Sequence, residues 1–268
     1  MDREKYVHGY SEREAERLHD QAGTLADLLH HDTVYPPGST VLEAGCGVGA
    51  QTIIISRNSP GALITSIDIS QESLKQAASL VSGAGARNVT FQAADVYDLP
   101  FEAESFDHVF CCFLLEHLPE PARALSALRG VLRKGGSLTV IEGDHGSCFF
   151  HPDSEDARLA IKCLIDSQAR LGGNALIGRE LYPLIREAGF DDVRVSPRMV
   201  YVDSSRPDLV EGFTRNTFTA MVAGSMDKAA ALGLATREQL ERGVRDLYRT
   251  AEGDGTFCYT FFKGVAIK

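Results

Sequence analysis

Nine residues, Val41-Leu42-Glu43-Ala44-Gly45-Cys46-Gly47-Val48-Gly49, constrain this chain more than any other stretch. An apolar run ends in an acid and then meets three glycines at alternate positions, after which Ala50 to Arg57 reads as the opening of a helix. A strand feeding a glycine-rich turn into a helix is the architecture of a nucleotide site. Glycine lets the turn tighten and the backbone approach a ligand, and the helix N-terminus presents unpaired N–H groups beside it. Gly45, Gly47 and Ala50 also satisfy G-x-G-x-x-A, the dinucleotide pattern, so the turn alone leaves the ligand open. Two carboxylates bear on the choice. Glu43 stands at the strand's carboxyl end, where it can accept from a cationic or N–H-bearing ligand. Ala62 to Ile67 reads as the next strand and ends in Asp68, where a carboxylate could take both hydroxyls of a ribose. A nicotinamide site also wants an acid about 20 residues on, so Asp68 serves both readings.

The rest of the chain alternates. Strand-like runs at 40–44, 62–67, 88–93, 106–112 and 137–142 are separated by helical ones at about 49–58, 70–83 and 119–133. That order predicts βαβ crossovers and a mainly parallel sheet. Ahead of it, residues 11–31 read as an amphipathic helix opened by a Ser11/Glu14 capping box and followed by Pro36-Pro37-Gly38. The pattern changes after Glu142. A loop carrying Asp144, His145 and His151 leads to helices near 154–171 and 178–188, the second closed by Gly189. Val193 to Val202 reads as a strand interrupted by Pro197, 206–252 as mostly helical, and Phe257 to Ile267 as a last strand. Two late strands around a long helical segment suggest an antiparallel edge with an insertion lying over the sheet.

Length favours one α/β domain with an insertion: 268 residues is large for one domain and small for two. No apolar run approaches the ~20 residues of a transmembrane helix, so no membrane partner is expected. Asp2, Arg3, Glu4 and Lys5 do not open a secretory signal. The six cysteines have no metal-site spacing and read as reduced thiols of a cytoplasmic protein. A net charge of −10 disfavours a nucleic-acid partner, whose phosphates must be neutralised by Lys and Arg.

The ordered motifs resemble the class I S-adenosylmethionine-dependent methyltransferases, from about residue 39 to the end. Val41 to Gly49 looks like that family's first motif, Ile67-Asp68-Ile69-Ser70 its second, and Ala94-Asp95-Val96 its adenine-binding segment. Leu99-Pro100-Phe101 with Ser105-Phe106-Asp107, Leu114-Leu115-Glu116-His117-Leu118, Leu132-Arg133-Lys134-Gly135-Gly136, and Gly178-Arg179-Glu180-Leu181 through Phe190 are similar to its small-molecule branch. The resemblance implies an α/β fold. Its Rossmann-like sheet has seven mainly parallel strands with the last antiparallel, helices on both faces, and a helical insertion between strands six and seven. One methyltransferase domain over 1–268 is expected: an N-terminal helical lid (1–38), suggested by the aromatics and glycine of Tyr6-Val7-His8-Gly9-Tyr10, a cofactor-binding core (39–145), and substrate-side helices with the final strands (146–268).

The resemblance also assigns residues. Glu43, Gly45, Cys46, Gly47, Gly49, Asp68 and Ile69 would hold S-adenosylmethionine, with Glu43 toward its methionine end and Asp68 on the ribose. Asp95 would accept from the adenine amino group, beside Val96, and Phe113 would border the cofactor after the fourth strand. Ser70 can cap the following helix itself, which frees Asp68. Tyr10 and Arg17 are lid candidates for cofactor contact. His145 and His151, just past strand five, are candidate general bases, with Glu142 and Asp144 as rivals; His117 reads rather as a packing residue. Phe213, Asn216, Thr217, Phe218, Met221 and Met226 read as core first and as substrate-cavity lining second. No convincing metal set is present: Glu116, Glu142 and Asp144 do not make an oxygen cage.

The expected activity is methyl transfer from S-adenosylmethionine to a small-molecule acceptor by in-line displacement. Two alternatives remain: a non-catalytic module that binds the same cofactor, and an NAD(P)-dependent reductase. The second is disfavoured, because a reductase has no need of the Asp95 segment, the Leu-Pro-Phe run or the terminal aromatic strand.

Overall fold

The computed structural model describes residues 23–268. The apolar run leading into the glycine turn is β1 (Thr40–Ala44), with Val41, Leu42 and Ala44 fully buried. A strand apolar on both faces belongs inside a parallel sheet covered by helices. β1 lies there, parallel to β2 (Leu63–Asp68) on one side and β4 (Phe106–Cys112) on the other. With β3 (Val89–Ala93), β5 (Leu132–His151), β6 (Asp191–Val202) and β7 (Thr256–Ile267) they form a seven-stranded sheet in the order β3-β2-β1-β4-β5-β7-β6. β7 is antiparallel to β5: Thr260 N donates to Ser147 Oγ, whereas further along β7 the carbonyl of Lys268 accepts from Gly135 N.

Helices carry the chain between strands. Among the described residues, α1 covers 23–30. α2 (Ala50–Asn58) links β1 to β2, α3 (Gln71–Gly83) links β2 to β3, and α4 (Pro121–Val131) links β4 to β5. Ser70 caps α3, its hydroxyl accepting from Ser73 N at 3.2 Å, and Pro121 opens α4 where its missing N–H costs nothing. After β5 come α5 (Glu155–Arg170) and α6 (Leu181–Glu187), the latter closed by Gly189 at φ 86°. Between β6 and β7 stand α7 (Pro207–Leu209), a ten-residue π-helix (Val210–Thr219), α8 (Ala220–Gly224), α9 (Met226–Ala231) and α10 (Arg237–Arg249).

Two compact units result. The first contains residues 26–143, 177–198 and 261–268. Its core joins Leu42, Ile67, Val109 and Val140 of the strands to Leu125 and Leu128 of α4 and to Leu181 and Ile185 of α6. Each such fully buried aliphatic side chain contributes about 1.5–3 kcal/mol. The second contains 144–176 and 199–260, with the described residues up to Leu25. There α5 and α10 approach so closely that a Cβ on Gly243 would lie 2.3 Å from the Asp156 carbonyl oxygen. No described helix is long and apolar enough to cross a membrane.

Several expected boundaries move. β5 begins at Leu132, so α4 stops at Val131 rather than 133, and an irregularity between Phe106 and His108 absorbs the change of register. β5 also continues to His151, so the expected loop with Asp144, His145 and His151 is strand. β7 gives this stretch a strand to pair with, and the burial of polar Asp144 and His145 hid it from a hydropathy reading. Pro197 does not interrupt β6, because β6 is an edge strand, where proline's missing N–H is tolerated. The expected helix at 178–188 opens as a 3-10 turn (Ile177–Glu180). The Ser11/Glu14 box lies outside the described residues.

Lys263 and Asp32 form an ion pair within the first unit. Lys263 on β7 is only 3 % exposed, and its Nζ donates to Asp32 Oδ1 and Thr33 Oγ1, both at 2.6 Å. The ammonium bears the desolvation, which holds it below its ordinary value, and the carboxylate collects the attraction. Desolvation raises Asp32, but hydrogen bonds from Lys263 and Arg198 outweigh it and hold the group at about 2. Asp32→Ala abandons a buried cation. We expect a loss of about 3 kcal/mol in urea unfolding, the low end for a broken buried pair, because Asp32's side chain is itself 44 % exposed. Since the folded value lies below the ordinary 3.8, the wild-type contribution is whole above that pH and lost as pH falls through about 2. The variant's acid-unfolding curve should lack that segment.

Candidate functional site

Gly45, Gly47 and Gly49 have φ of 73°, 51° and 86°, left-handed values that side chains disfavour. Two of them are also sterically fixed. A Cβ on Gly45 would lie 2.7 Å from Leu114 Cδ1, and one on Gly49 would lie 3.0 Å from the Ala77 backbone of α3. On Gly47 it would meet nothing within 4 Å, so the turn is open there. Neighbouring backbone holds the turn in place: Gly45 N and Cys46 N both donate to the Ile67 carbonyl, at 2.9 and 3.0 Å.

Asp68, at the end of β2, completes the hold. Its Oδ2 accepts from Gly47 N at 2.9 Å and its Oδ1 from Ser70 N at 2.8 Å, while its carbonyl accepts from Ala94 N at 3.1 Å. Ser70 does cap α3, as expected, yet the Asp68 carboxylate is tied to backbone all the same. A carboxylate has about four acceptor positions, so both oxygens keep capacity for ligand hydroxyls. Ile69, next along, is 41 % exposed.

Glu43 is buried. Its Oε2 accepts from Thr52 Oγ1 at 2.7 Å and Ser66 Oγ at 2.6 Å, hydroxyls from α2 and from the β2 residue in register with it. Burial pushes its carboxyl up to about 7, against the pull of the two hydroxyls and with a push from the Asp68 charge. Cys46 is buried too, and desolvation, with Glu43 and Asp68 nearby, raises its thiol far from reactive values.

Past β3, Asp95 forms a turn, its Oδ1 accepting from Tyr97 N at 2.9 Å and its carbonyl from Asp98 N. Val96 is buried in the core of the first unit. Past β4, Phe113 has φ 55°, a conformation costing a bulky residue on the order of 1–3 kcal/mol and concentrated at functional sites. Its N–H donates to the Ile141 carbonyl at 2.9 Å, and its ring lies 5.7 Å from that of Phe261. The next two amides, Leu114 N and Leu115 N, donate to Glu142 Oε1 at 3.0 and 2.7 Å. Glu142 is wholly buried, and desolvation with the Glu116 charge raises its carboxyl well above the ordinary range. Read from the sequence as a rival base, Glu142 stands in the structure as an acceptor for a loop. Its partners lie 28 and 27 positions away, so no local pattern could have shown this.

The first unit thus brings together Glu43, the glycine turn with Cys46, Asp68, Ile69, the Asp95–Val96 turn and Phe113. His145 and His151 belong to the second unit. His145 is buried on β5. Its Nδ1 shares a 2.7 Å hydrogen bond with the Tyr259 hydroxyl, and its ring meets Phe218 edge-on at 6.0 Å. Phe213 and Phe257 complete the aromatic group around Tyr259 and Phe218. His151, the last residue of β5, is exposed. Tyr10 and Arg17 lie outside the described residues.

Residues 42–140, which include every one of these cofactor candidates from Glu43 to Phe113, match a family model described as a methyltransferase domain. An uncharacterized 37.1 kDa transposon protein of Streptomyces fradiae is 35 % identical over 198 residues, 73 % of this chain and 56 % of that one. The O-methyltransferase resE of Aspergillus sclerotiorum is 31 % identical over 155 residues, 57 % of this chain and 55 % of that one. The matches thus span little more than half the length of either relative. Among solved structures, a phosphoethanolamine N-methyltransferase 2 of Haemonchus contortus in complex with S-adenosylhomocysteine aligns over 92 % of this chain and 52 % of its own. Its TM-score is 0.56 at 18 % identity, a likeness of fold alone. A glycine turn tied to the acid at the end of the neighbouring strand, on a 3-2-1-4-5-7-6 sheet, and the family match together identify residues 42–140 as a class I S-adenosylmethionine-dependent methyltransferase domain.

Proposed function

We propose that this chain transfers a methyl group from S-adenosylmethionine to a small-molecule acceptor by in-line displacement. The observation that carries the reading is the hydrogen bond from Gly47 N to Asp68, which sets an open, left-handed turn beside a carboxylate that still has lone pairs to offer. The residues fit the cofactor: Gly47 leaves room for close backbone approach, Gly45 and Gly49 hold the left-handed turn on either side of it, Asp68 would take the ribose hydroxyls, and the Asp95–Val96 turn would border the adenine. Phe113 backbone would flank the same ligand, with Glu43 and Cys46 beneath the turn. When bound, S-adenosylmethionine supplies a methyl group on a sulfonium, already activated toward a nucleophile. The protein's part is alignment, exclusion of water and, where the acceptor needs it, removal of a proton.

His145 is our candidate for that proton. The Tyr259 hydroxyl at its Nδ1 fixes the orientation of the ring, and the aromatic side chains around it suit an apolar or aromatic acceptor. His151, exposed at the strand end, is the weaker candidate. The net charge of −10 and the O-methyltransferase among the relatives both favour a small molecule over nucleic acid. Tyr10 and Arg17 remain lid candidates within the 1–38 segment.

Calorimetry with S-adenosylmethionine, S-adenosylhomocysteine and NADH tests the cofactor. Micromolar binding of the first two is expected, weakened at least about tenfold by Asp68→Ala, which removes hydrogen bonds to a charged group. Binding of NADH alone would return the turn to the dehydrogenase reading. Binding without turnover across a broad acceptor screen would leave a binding module.

Once an acceptor is found, His145→Ala should lower kcat by about 10²–10⁴ while leaving S-adenosylhomocysteine affinity unchanged. An unchanged kcat would remove His145 from the mechanism.

Glu43 gives a prediction that needs no acceptor. Its folded value of about 7 lies above the ordinary 4.5, so its contribution to stability is full below 4.5 and lost as pH rises through about 7. Glu43→Gln should therefore gain stability at pH 8, by roughly 1–3 kcal/mol, and flatten the decline between pH 4.5 and 8. Urea unfolding at several pH values measures both; an unaltered pH dependence would place the titration elsewhere.

A further inference from the structure

We propose that Glu142 is a positioning residue for cofactor binding: it sets the loop after β4 so that Leu114 seats against Gly45 of the glycine turn. The inference rests on the methyltransferase reading of that turn.

The connection runs through named atoms. Glu142 Oε1 takes both Leu114 N and Leu115 N, at 3.0 and 2.7 Å, just after the left-handed Phe113. Those two amides open the 3-10 turn Leu115–His117, where donors have no partner within the turn. The other side of Phe113 is held by its own N–H on the Ile141 carbonyl, one residue before Glu142. Two consecutive residues of β5 thus grip three consecutive amides of the loop.

Leu114 then carries that grip to the turn. Its Cδ1, Cγ and Cβ would lie 2.7, 3.1 and 3.2 Å from a Cβ on Gly45, so the Leu114 side chain fills the space beside the glycine. Glycine at 45 is required partly because Leu114 occupies the space, and Leu114 is there because Glu142 holds its amide. Glu142 Oε2 is buried and has no hydrogen-bond partner among the described residues. The sequence therefore keeps a buried carboxyl group with one oxygen spent on the loop and the other left over. A side chain retained merely to fill the core would be apolar.

S-adenosylhomocysteine binding by calorimetry, well below each variant's melting temperature, tests the role. Glu142→Leu keeps volume and loses the acceptor; its Kd should rise at least tenfold. Glu142→Gln keeps an acceptor oxygen and should restore Kd to within about threefold of wild type. Leu114→Ala removes the seat without touching the buried acid and should weaken binding severalfold; it decides the matter with Glu142→Gln if Glu142→Leu does not fold. Ile185→Ala, a core change on α6 outside the site, should lower the melting temperature and leave Kd unchanged. Wild-type affinity in Glu142→Leu or Leu114→Ala, or failure of Glu142→Gln to rescue, overturns the positioning role alone. Absence of binding by the wild-type protein overturns the methyltransferase reading, and the role with it.

Discussion

The hydrogen bond between Gly47 N and the Asp68 carboxylate is the interaction on which the loops at the carboxyl ends of β1, β2 and β3 depend. A turn of three left-handed glycines has little intrinsic stiffness, since glycine loses more conformational freedom on ordering than any other residue. Here the cost is offset by neighbours that are rigid for their own reasons. β2 lies in the sheet, and its last residues offer the Ile67 carbonyl to two turn amides and the Asp68 carboxylate to a third. The same aspartate takes the Ser70 amide at the start of α3 and the Ala94 amide past β3. One residue therefore ties together the loops that follow β1, β2 and β3.

Beneath that surface lie buried acids, and two of them, Glu43 and Glu142, differ in kind. Glu43 is paid for by hydroxyls: Thr52 and Ser66 both donate to one oxygen, so α2, β1 and β2 are joined by side chains as well as by the ladder. Glu142 is matched by backbone amides of a strained loop instead. Both are raised chiefly by desolvation, the pattern of carboxyl groups placed for hydrogen-bonding geometry rather than charge.

Much of this was legible in the sequence, for reasons that also explain what was not. β1 and β4 fall on their expected bounds, and β2 and β3 within one residue, because they are apolar runs between glycine, proline and acidic punctuation. The glycine turn and Asp68 announce themselves through spacing. β5 beyond Glu142 was hidden because Asp144 and His145 are polar residues that the strand buries, and a hydropathy pattern treats buried polar residues as loop. The contact of Leu114 with Gly45 and the reach of Lys263 to Asp32 join positions far apart in the chain, where periodicity carries no information. Asp95 shows a turn hydrogen bond where a ligand role was expected from resemblance, and one carboxylate can do both.

The π-helix at Val210–Thr219 changes how its neighbourhood can evolve. Phe213 and Phe218 are five positions apart and both pack on Phe257 and Tyr259. On an α-helix, with about 100° per residue, positions five apart point away from each other. The i→i+5 winding is what brings them to one side, as the Thr217 hydroxyl reaching back to the Gly212 carbonyl also reflects. Losing one codon between the two phenylalanines would make them i and i+4, which an ordinary α-helix also places on one face. This aromatic wall therefore has two chain lengths open to it: insertion or deletion of a single residue can change which threonines face inward while the ring pair stays where it is.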